Sequence, residues 1–158
     1  MEKEAFARQV TAMQGSLYRV AASYLRGESD RLDAVSEAIT RAWERRDTLR
    51  DERMFGTWIT RILIRECVNI QRHQKRTVPV EAIPDGAAFA EEDGGAQALR
   101  DALDGLPQRL RTMAVLHYME GYDVREIARM MGTTKGAVCA GLSRAREKLR
   151  ALIEEEWR

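Results

Sequence analysis

Residues 123–148 constrain the fold most, because two stretches of helical apolar spacing flank a single glycine there. Apolar residues that recur at three- and four-residue spacing predict one buried face on each of two helices. The two faces are Val124, Ile127, Ala128 and Met131, then Val138, Leu142, Ala145 and Leu149. Gly132 suits the left-handed position that ends the first helix. Thr134 is a good N-cap for the second.

The turn between these helices is short, and the small side chain of Ala128 allows the second helix to cross closely. This combination is typical of a helix-turn-helix, whose second helix enters the major groove of DNA. An ordinary helical hairpin has the same apolar spacing. Both interpretations stay open on this stretch alone.

The composition favours an all-α chain that does not cross a membrane. Alanine, leucine, arginine and glutamate dominate the 158 residues, and strand-like alternation is absent. No apolar run approaches the roughly 20 residues of a bilayer span, and the N-terminus lacks a secretory apolar region. Cys67 and Cys139 are far apart and have no ligand pattern beside them. They are expected to be reduced thiols of a cytoplasmic protein.

Charge divides the chain into three parts. Residues 1–76 hold 15 Lys and Arg against 11 Asp and Glu, whereas residues 77–97 hold five acids and no base. Residues 98–158 hold 11 bases and nine acids. Two mildly basic blocks therefore flank an acidic spacer, and its prolines and glycines predict a linker. A free-standing DNA binder usually has a stronger basic excess. We expect this chain to need help to bind DNA.

The first block predicts three helices. The first covers residues 2–26 and ends at Gly27, and Asp30 is expected to cap the second, which runs to about Arg46. The buried stripe of this second helix is predicted to be Leu32, Val35, Ile39, Ala42 and Trp43. Its solvated face is predicted to be Asp33, Ser36, Glu37, Thr40, Arg41 and Glu44.

The third helix, over residues 55–75, has an apolar face and a cationic face. The apolar face is predicted to be Phe55, Ile59, Ile62, Leu63, Cys67 and Ile70. The cationic face is a row about 20 Å long, formed by Arg61, Arg65, Asn69, Arg72 and Arg76, with only Glu66 interrupting the charge nearby. Cations beside an aromatic such as Trp58 are typical of strand binding, although an arginine-rich face is often only solvated.

The second block begins with a helix over residues 96–104. Pro107 is expected in the first turn of the next helix, which ends at Gly121. Its stripe is predicted to be Leu110, Met113, Ala114, Leu116 or His117, and Met119. The last helix runs to about Glu155. No Ser/His/Asp grouping, metal cluster or phosphate loop is apparent, so we expect no enzymatic activity, cofactor or metal.

Both blocks resemble the sigma-70 family of RNA polymerase sigma factors, specifically its extracytoplasmic-function (ECF) group. The motifs that carry the resemblance are DRLDAVSEAITRAW at residues 30–43, FGTWITRI at 55–62, QRHQKR at 71–76, and the stretch from LDGLPQRL to REKLR at 103–150. The resemblance implies two helical domains: region 2 over residues 1–76 and region 4 over 98–158, joined by the linker 77–97. It also implies an alternative sigma factor that directs transcription initiation.

The resemblance further implies which residues of the first block bind. The contacts to the β′ coiled coil of core polymerase map to Asp33, Ser36, Glu37 and Arg41. The contacts to the melted minus-ten element map to Arg50, Phe55, Thr57, Trp58, Arg61, Arg65, Asn69 and Arg72. Ser36 stands where relatives often have glutamine, Arg65 where many have asparagine, and Leu49 where many have phenylalanine. The minus-ten sequence preference is therefore not carried over.

In the second block, the contacts to minus-thirty-five duplex DNA map to Thr134, Lys135, Ala137, Cys139, Ala140, Ser143, Arg144 and Arg146. Few of these side chains form bidentate base contacts, so we expect phosphate binding and shape readout. Cys139 is unusual there, and oxidant sensing is a minor alternative to tolerated substitution. The implied partners are core RNA polymerase, promoter DNA and, in many relatives, an anti-sigma factor.

Two rival hypotheses remain from the sequence. A self-sufficient helix-turn-helix regulator would use residues 1–76 for dimerisation or ligand binding, and would bind duplex DNA tightly without polymerase. A helical adaptor without DNA contact would be insensitive to neutralising Arg144 and Arg146.

Overall fold

The computed structural model describes residues 1–77 and 94–156. The chain divides into two compact units, Met1–Gly86 and Ala87–Arg158. The first contains α1 (Lys3–Ala22), α2 (Glu28–Glu44) and α3 (Phe55–Thr77); the second contains α4 (Gly94–Asp104), α5 (Gln108–Ala114), α6 (Val124–Met131) and α7 (Lys135–Glu156). The predicted all-α class is confirmed, since the described ranges contain helices and turns but no strand. No helix in these ranges has both the length and the apolarity for a membrane span.

Three helices pack around one apolar core in the first unit. Leu17 and Val20 of α1 and Ile59 and Leu63 of α3 are fully buried. The predicted first helix is too long, because α1 ends at Ala22 and a hydrogen-bonded turn follows. Gly27 does not end that helix: in extended conformation, it precedes the first residue of α2.

The predicted start of α2 is also wrong. The helix begins at Glu28, so Asp30 lies in its first turn and does not cap it. The side-chain oxygen of Asp30 instead accepts a hydrogen bond from Gln74 of α3. Arg31 is buried and its Nε donates to the carbonyl of Leu25 at 2.7 Å, which fixes the chain between α1 and α2.

The buried face of α2 differs from the prediction because small side chains set the packing distance. Its buried residues are Arg31, Ala34, Ala38 and Ala42. Leu32, predicted to be buried, is 53% exposed. Val35, Ile39 and Trp43 are half-buried. An alanine stripe lets α1 and α3 approach α2 closely, and the larger apolar residues then lie at the edge of that contact.

The predicted apolar face of α3 is buried from Phe55 to Cys67, and Ile70 is half-buried. Two buried threonines, Thr57 and Thr60, and the buried Glu66 were not expected on this side. The predicted linker 77–97 lies mostly outside the described residues; α3 extends to Thr77 and α4 begins at Gly94.

The predicted helix-turn-helix is present in the second unit. Asp123 and Glu126 form a reciprocal capping box at the start of α6, and Gly132 follows α6 with φ 64°. The hydroxyl of Thr134 accepts the backbone N–H of Ala137 at 3.1 Å, as expected of an N-cap.

The helix before this motif departs from its predicted form. Pro107 is the N-cap residue of α5 and lies just before the first turn, not within it. At its other end, α5 continues into a π-helical turn at Val115–Met119. Met119 was predicted in the buried stripe but is 38% exposed. One inserted residue in a π turn rotates the following side chains around the helix axis, which apolar spacing alone does not reveal.

Candidate nucleic-acid and protein interfaces

The solvent face of α2 carries the predicted protein-binding residues. Asp33, Ser36 and Glu37 are exposed, and Arg41 is half-buried one turn further along. Leu32 adjoins Asp33 and is also exposed, although the sequence analysis placed it in the core. The face therefore combines two carboxylates with one apolar side chain, which is a suitable surface for a cationic protein partner.

Arg41 connects this face to α3. Its Nε lies 3.2 Å from Oε1 of Glu37 and 2.7 Å from Oε1 of Glu66. The Glu66 side chain is only 11% exposed, whereas that of Glu37 is 51% exposed. Neither carboxylate is aligned for a hydrogen bond from that nitrogen, so within the described residues the contact is an ion pair. Sequence reasoning missed it, because Glu66 looked like a solvated acid within the cationic face.

The cationic face of α3 is present as predicted. Arg61, Arg65, Asn69 and Arg72 are all exposed on one side of the helix. Among the described residues, no carboxylate forms an ion pair with any of these three arginines. The side chain of Arg76 lies outside the described part of the chain. Unpaired exposed guanidinium groups in one row are suited to successive phosphates of a nucleic-acid strand.

An aromatic cluster supports the start of α3. Phe6 meets Trp43 and Phe55 edge-on, with centroid distances of 5.1 and 5.7 Å, and Phe55 contacts Trp58 at 5.8 Å. Phe55 is 1% exposed and Thr57 is 8% exposed. Neither reaches the surface, so the structure does not place them with the other predicted minus-ten residues. Trp58 is half-buried and keeps an exposed part for stacking.

The loop before α3 presents Arg50, which is exposed. A short turn follows, in which Asp51 accepts hydrogen bonds from the backbone N–H, Nε and Nη2 of Arg53 at 3.0–3.2 Å. These hydrogen bonds from Arg53 lower the pKa of the Asp51 carboxyl. The turn fixes the loop where the chain enters α3.

The exposed side of α7 carries the predicted duplex-binding residues. All of them are exposed except Ala137, which is half-buried. The opposite side is buried through Val138, Leu142 and Ala145. Cys139 is a free, exposed thiol in this face. Most side chains near the start of α7 are short, so the helix backbone itself is accessible to a DNA groove.

Two contacts from α5 and its π turn support this region, and sequence reasoning missed both. Nη2 of Arg109 donates to the hydroxyl of Thr133 at 3.0 Å, within the turn between α6 and α7. Nη1 of Arg146 donates to the hydroxyl of Tyr118 at 2.9 Å. These partners lie 24 and 28 residues apart, so helical periodicity gives no signal for either contact.

Comparison with protein families matches both units. Residues 9–77 match the model "Sigma-70 region 2", and residues 96–149 match "Sigma-70, region 4". The two matches together cover α1–α3 and α4–α7, except for the ends of α1, α4 and α7.

Individual relatives agree along most of the chain. RNA polymerase sigma factor SigV of Bacillus subtilis is 31% identical over 149 residues, covering 93% of this chain and 90% of that protein. ECF RNA polymerase sigma factor SigM of Mycobacterium tuberculosis is 30% identical over 139 residues, covering 87% and 71%.

Two solved structures share the fold. Sigma factor RpoE of Bartonella quintana, solved with the anti-sigma factor NepR, has a TM-score of 0.85 at 22% identity and covers 96% of this chain and 98% of that one. CnrH, solved with the cytosolic domain of CnrY, has a TM-score of 0.73 at 25% identity and covers 98% and 90%.

Family models match both units, and both relatives are at least 30% identical to this chain over most of their own length. The chain belongs to the sigma-70 family, in its ECF group, and is an alternative RNA polymerase sigma factor, a non-enzymatic subunit that binds core polymerase and directs transcription initiation at promoters.

Proposed function

We propose that residues 1–76 of the first unit dock on the β′ coiled coil of core polymerase through α2. Asp33, Ser36, Glu37 and Arg41 form the contact, and the exposed Leu32 lies within it. The ion pair with the buried Glu66 neutralises Arg41. The carboxylates of Asp33 and Glu37 then give the face a net negative charge, which supports this proposal. Complementary charges across an interface increase the association rate and the specificity of binding more than they increase its affinity.

We also propose that α3 and the loop before it hold the opened minus-ten strand. The contacts are Arg50, Trp58, Arg61, Arg65, Asn69 and Arg72, all of which have exposed surface. Phe55 and Thr57 are left out, because their burial makes them supports of Trp58 and the helix start. Stacking on an aromatic side chain contributes about 1–3 kcal/mol per base, which offsets the cost of unstacking.

Residues 98–158 of the second unit are proposed to hold the minus-thirty-five element as duplex DNA. The start of α7 enters the major groove with Thr134, Lys135 and Ala137, followed by Cys139, Ala140, Ser143, Arg144 and Arg146. Good bidentate base contacts give about 1–3 kcal/mol each, and few of these side chains form them. Phosphate contacts and duplex shape therefore supply most of the binding here.

The proposed linker 77–97 allows both units to act on one promoter at once. The minus-ten and minus-thirty-five elements are separated by roughly two helical turns of duplex DNA, which is about 70 Å at 34–36 Å per turn. A free coil of 21 residues spans about 25 Å, and the bulk of the two domains covers part of the remaining gap; an extended path along polymerase would bridge the rest. Its acidic charge suits a channel that otherwise holds nucleic acid.

Two further parts of the proposal concern the cell. The protein works in the cytoplasm, because its partner polymerase acts on chromosomal DNA there. Its activity is restrained by an anti-sigma factor, a proposal supported by the fold shared with RpoE, which was solved with the anti-sigma factor NepR.

Run-off transcription with core polymerase over a promoter library tests the function as a whole. Adding the wild-type chain is expected to give discrete transcripts that core polymerase alone does not make. Glu37→Lys should abolish polymerase binding, whereas Arg61→Ala with Arg65→Ala should leave binding intact and prevent strand opening. Glu44→Lys, an exposed acid near the end of α2 outside the proposed contact, is the matched control.

Gel-shift of the purified chain separates this function from the stand-alone regulator. The proposed sigma factor binds duplex DNA weakly without polymerase. Tight, sequence-specific binding by the chain alone, together with no affinity for core polymerase, would refute the proposal.

A further inference from the structure

We propose that Tyr118 and Arg146 form one contact to a DNA backbone phosphate, in which Tyr118 is the positioning residue for the arginine. Tyr118 lies on the π turn after α5 and belongs to none of the predicted binding sets. The inference rests on the proposed function of α7 as the duplex-binding helix.

The position of Arg146 indicates a phosphate partner. It lies 11 residues after Lys135 on the same side of α7, which is about 16 Å along the helix axis. A recognition helix contacts base edges with its N-terminal residues. An arginine three turns further along is therefore placed to meet the backbone of the duplex.

The hydrogen bond between the two side chains gives Tyr118 its role. Nη1 of Arg146 donates to the Tyr118 hydroxyl at 2.9 Å, and both side chains are exposed. An arginine side chain that rotates freely in solution loses rotamer entropy when it binds. Holding the guanidinium before DNA arrives reduces that loss, as preorganisation does in general.

The hydroxyl also has a proton of its own to donate. It accepts from Arg146, and within the described residues its own O–H has no acceptor. The Tyr118 ring is held edge-on against His117, with centroids 4.8 Å apart, so the hydroxyl has a defined position. The pair thus presents N–H donors and an O–H donor side by side, which suits the oxygens of one phosphate.

Tyr118→Phe tests the proposal, since it removes only the hydroxyl of a half-exposed ring. The assay measures anisotropy of the full chain with a short fluorescent duplex of arbitrary sequence at several salt concentrations. We expect duplex binding to weaken about threefold to tenfold, the range for one hydrogen bond. Binding of single-stranded DNA of the same length should be unchanged, because α3 is proposed to hold it.

A double-mutant cycle identifies the mechanism. Arg146→Ala should reduce the salt slope by about 0.9, and Tyr118→Phe should weaken binding less in that background than it does in the wild-type chain. Arg150→Ala, which removes an exposed cation one turn later, should combine additively with Tyr118→Phe. Tyr18→Phe in the first unit controls for the substitution itself.

The possible contrary results overturn two different claims. If Arg144→Ala and Arg146→Ala weaken duplex binding but Tyr118→Phe does not, or if Tyr118→Phe and Arg146→Ala are additive, the positioning role of Tyr118 is wrong while the proposed function of α7 stands. If no charge removed from α7 changes duplex binding, the proposed function of that helix fails.

Discussion

The close crossing of α5 and α7 makes Gly141→Ala the most informative stability test. Gly141 lies in the buried side of α7. A Cβ added there would lie 2.2 Å from Sδ of Met113, 3.1 Å from its Cε and 3.5 Å from Cδ2 of Leu110. Met113 is 1% exposed and Leu110 is 8% exposed, so neither side chain has free solvent to move into.

These distances set the expected cost. Non-bonded heavy atoms of this kind favour about 3.5–4.0 Å, so the methionine sulfur must retreat by roughly 1.5 Å. Overpacking in a filled core costs about 1–3 kcal/mol. Alanine is favoured over glycine inside a helix by about 1 kcal/mol, which offsets part of the cost. We expect a net loss of about 0–2 kcal/mol in the free energy of unfolding of the second unit.

Gly136→Ala on the same helix isolates the steric part. A Cβ at Gly136 meets only the Thr134 hydroxyl, at 3.9 Å, so this variant gains helix propensity without a clash. Native-state hydrogen exchange of α7 amides in the full chain compares the two variants, since the two units need not unfold together. Gly141→Ala should be about 1–3 kcal/mol less stable than Gly136→Ala. Equal stability of the two variants would refute the packing argument.

Three further predictions follow from single contacts. Glu66→Gln should lower the free energy of unfolding of the first unit by about 1–2 kcal/mol in chemical denaturation, less than for a fully buried pair because the Arg41 side chain is 39% exposed. A backbone hydrogen bond lowers the pKa of the Asp123 carboxyl from its ordinary value of 3.8. The cap formed by Asp123 therefore stabilises α6 above pH 3.8, and this stabilisation is lost as the pH falls through the lowered pKa. Asp123→Ala should remove this pH-dependent part of the hydrogen-exchange protection of the α6 amides. Burial raises the pKa of Cys67 to about 12, so mass spectrometry should find one alkylated thiol, Cys139, in the native chain and two in denaturant.

The parts of the fold that the sequence predicted are those with strong local signals. The helix-turn-helix combines apolar periodicity with a left-handed glycine and a threonine cap, and Gly132 and Thr134 have the predicted conformations. The cationic face of α3 follows from spacing alone, because one side of a long helix is buried and the other must be exposed. Most of the predicted site residues on these helices are exposed, whereas their roles in binding stay predictions.

The parts that the sequence did not predict depend on contacts between distant residues. The buried face of α2 consists mainly of alanines, because the close approach of the neighbouring helices leaves room only for small side chains. Leu32 therefore lies outside this face and is exposed. The sequence pattern predicted a solvated Glu66, whereas in the structure it forms an ion pair with Arg41 of α2. Phe55 was assigned to DNA through the family pattern, whereas its ring is enclosed by other aromatics. Apart from the contact between Phe55 and Trp58, these contacts join residues more than one helical turn apart in sequence.

The modest charge of the second unit is the basis for proposing that DNA binding by this protein depends on polymerase. If Lys135, Arg144 and Arg146 each neutralise one phosphate, the binding constant has a salt slope of about −2.7. Raising salt from about 50 to 200 mM then weakens binding only about fortyfold, against about 10³–10⁵ for proteins with 6–10 phosphate contacts. The same small number of contacts yields little total affinity. We therefore propose that strong promoter binding requires both units to act together on one piece of DNA, held there by polymerase.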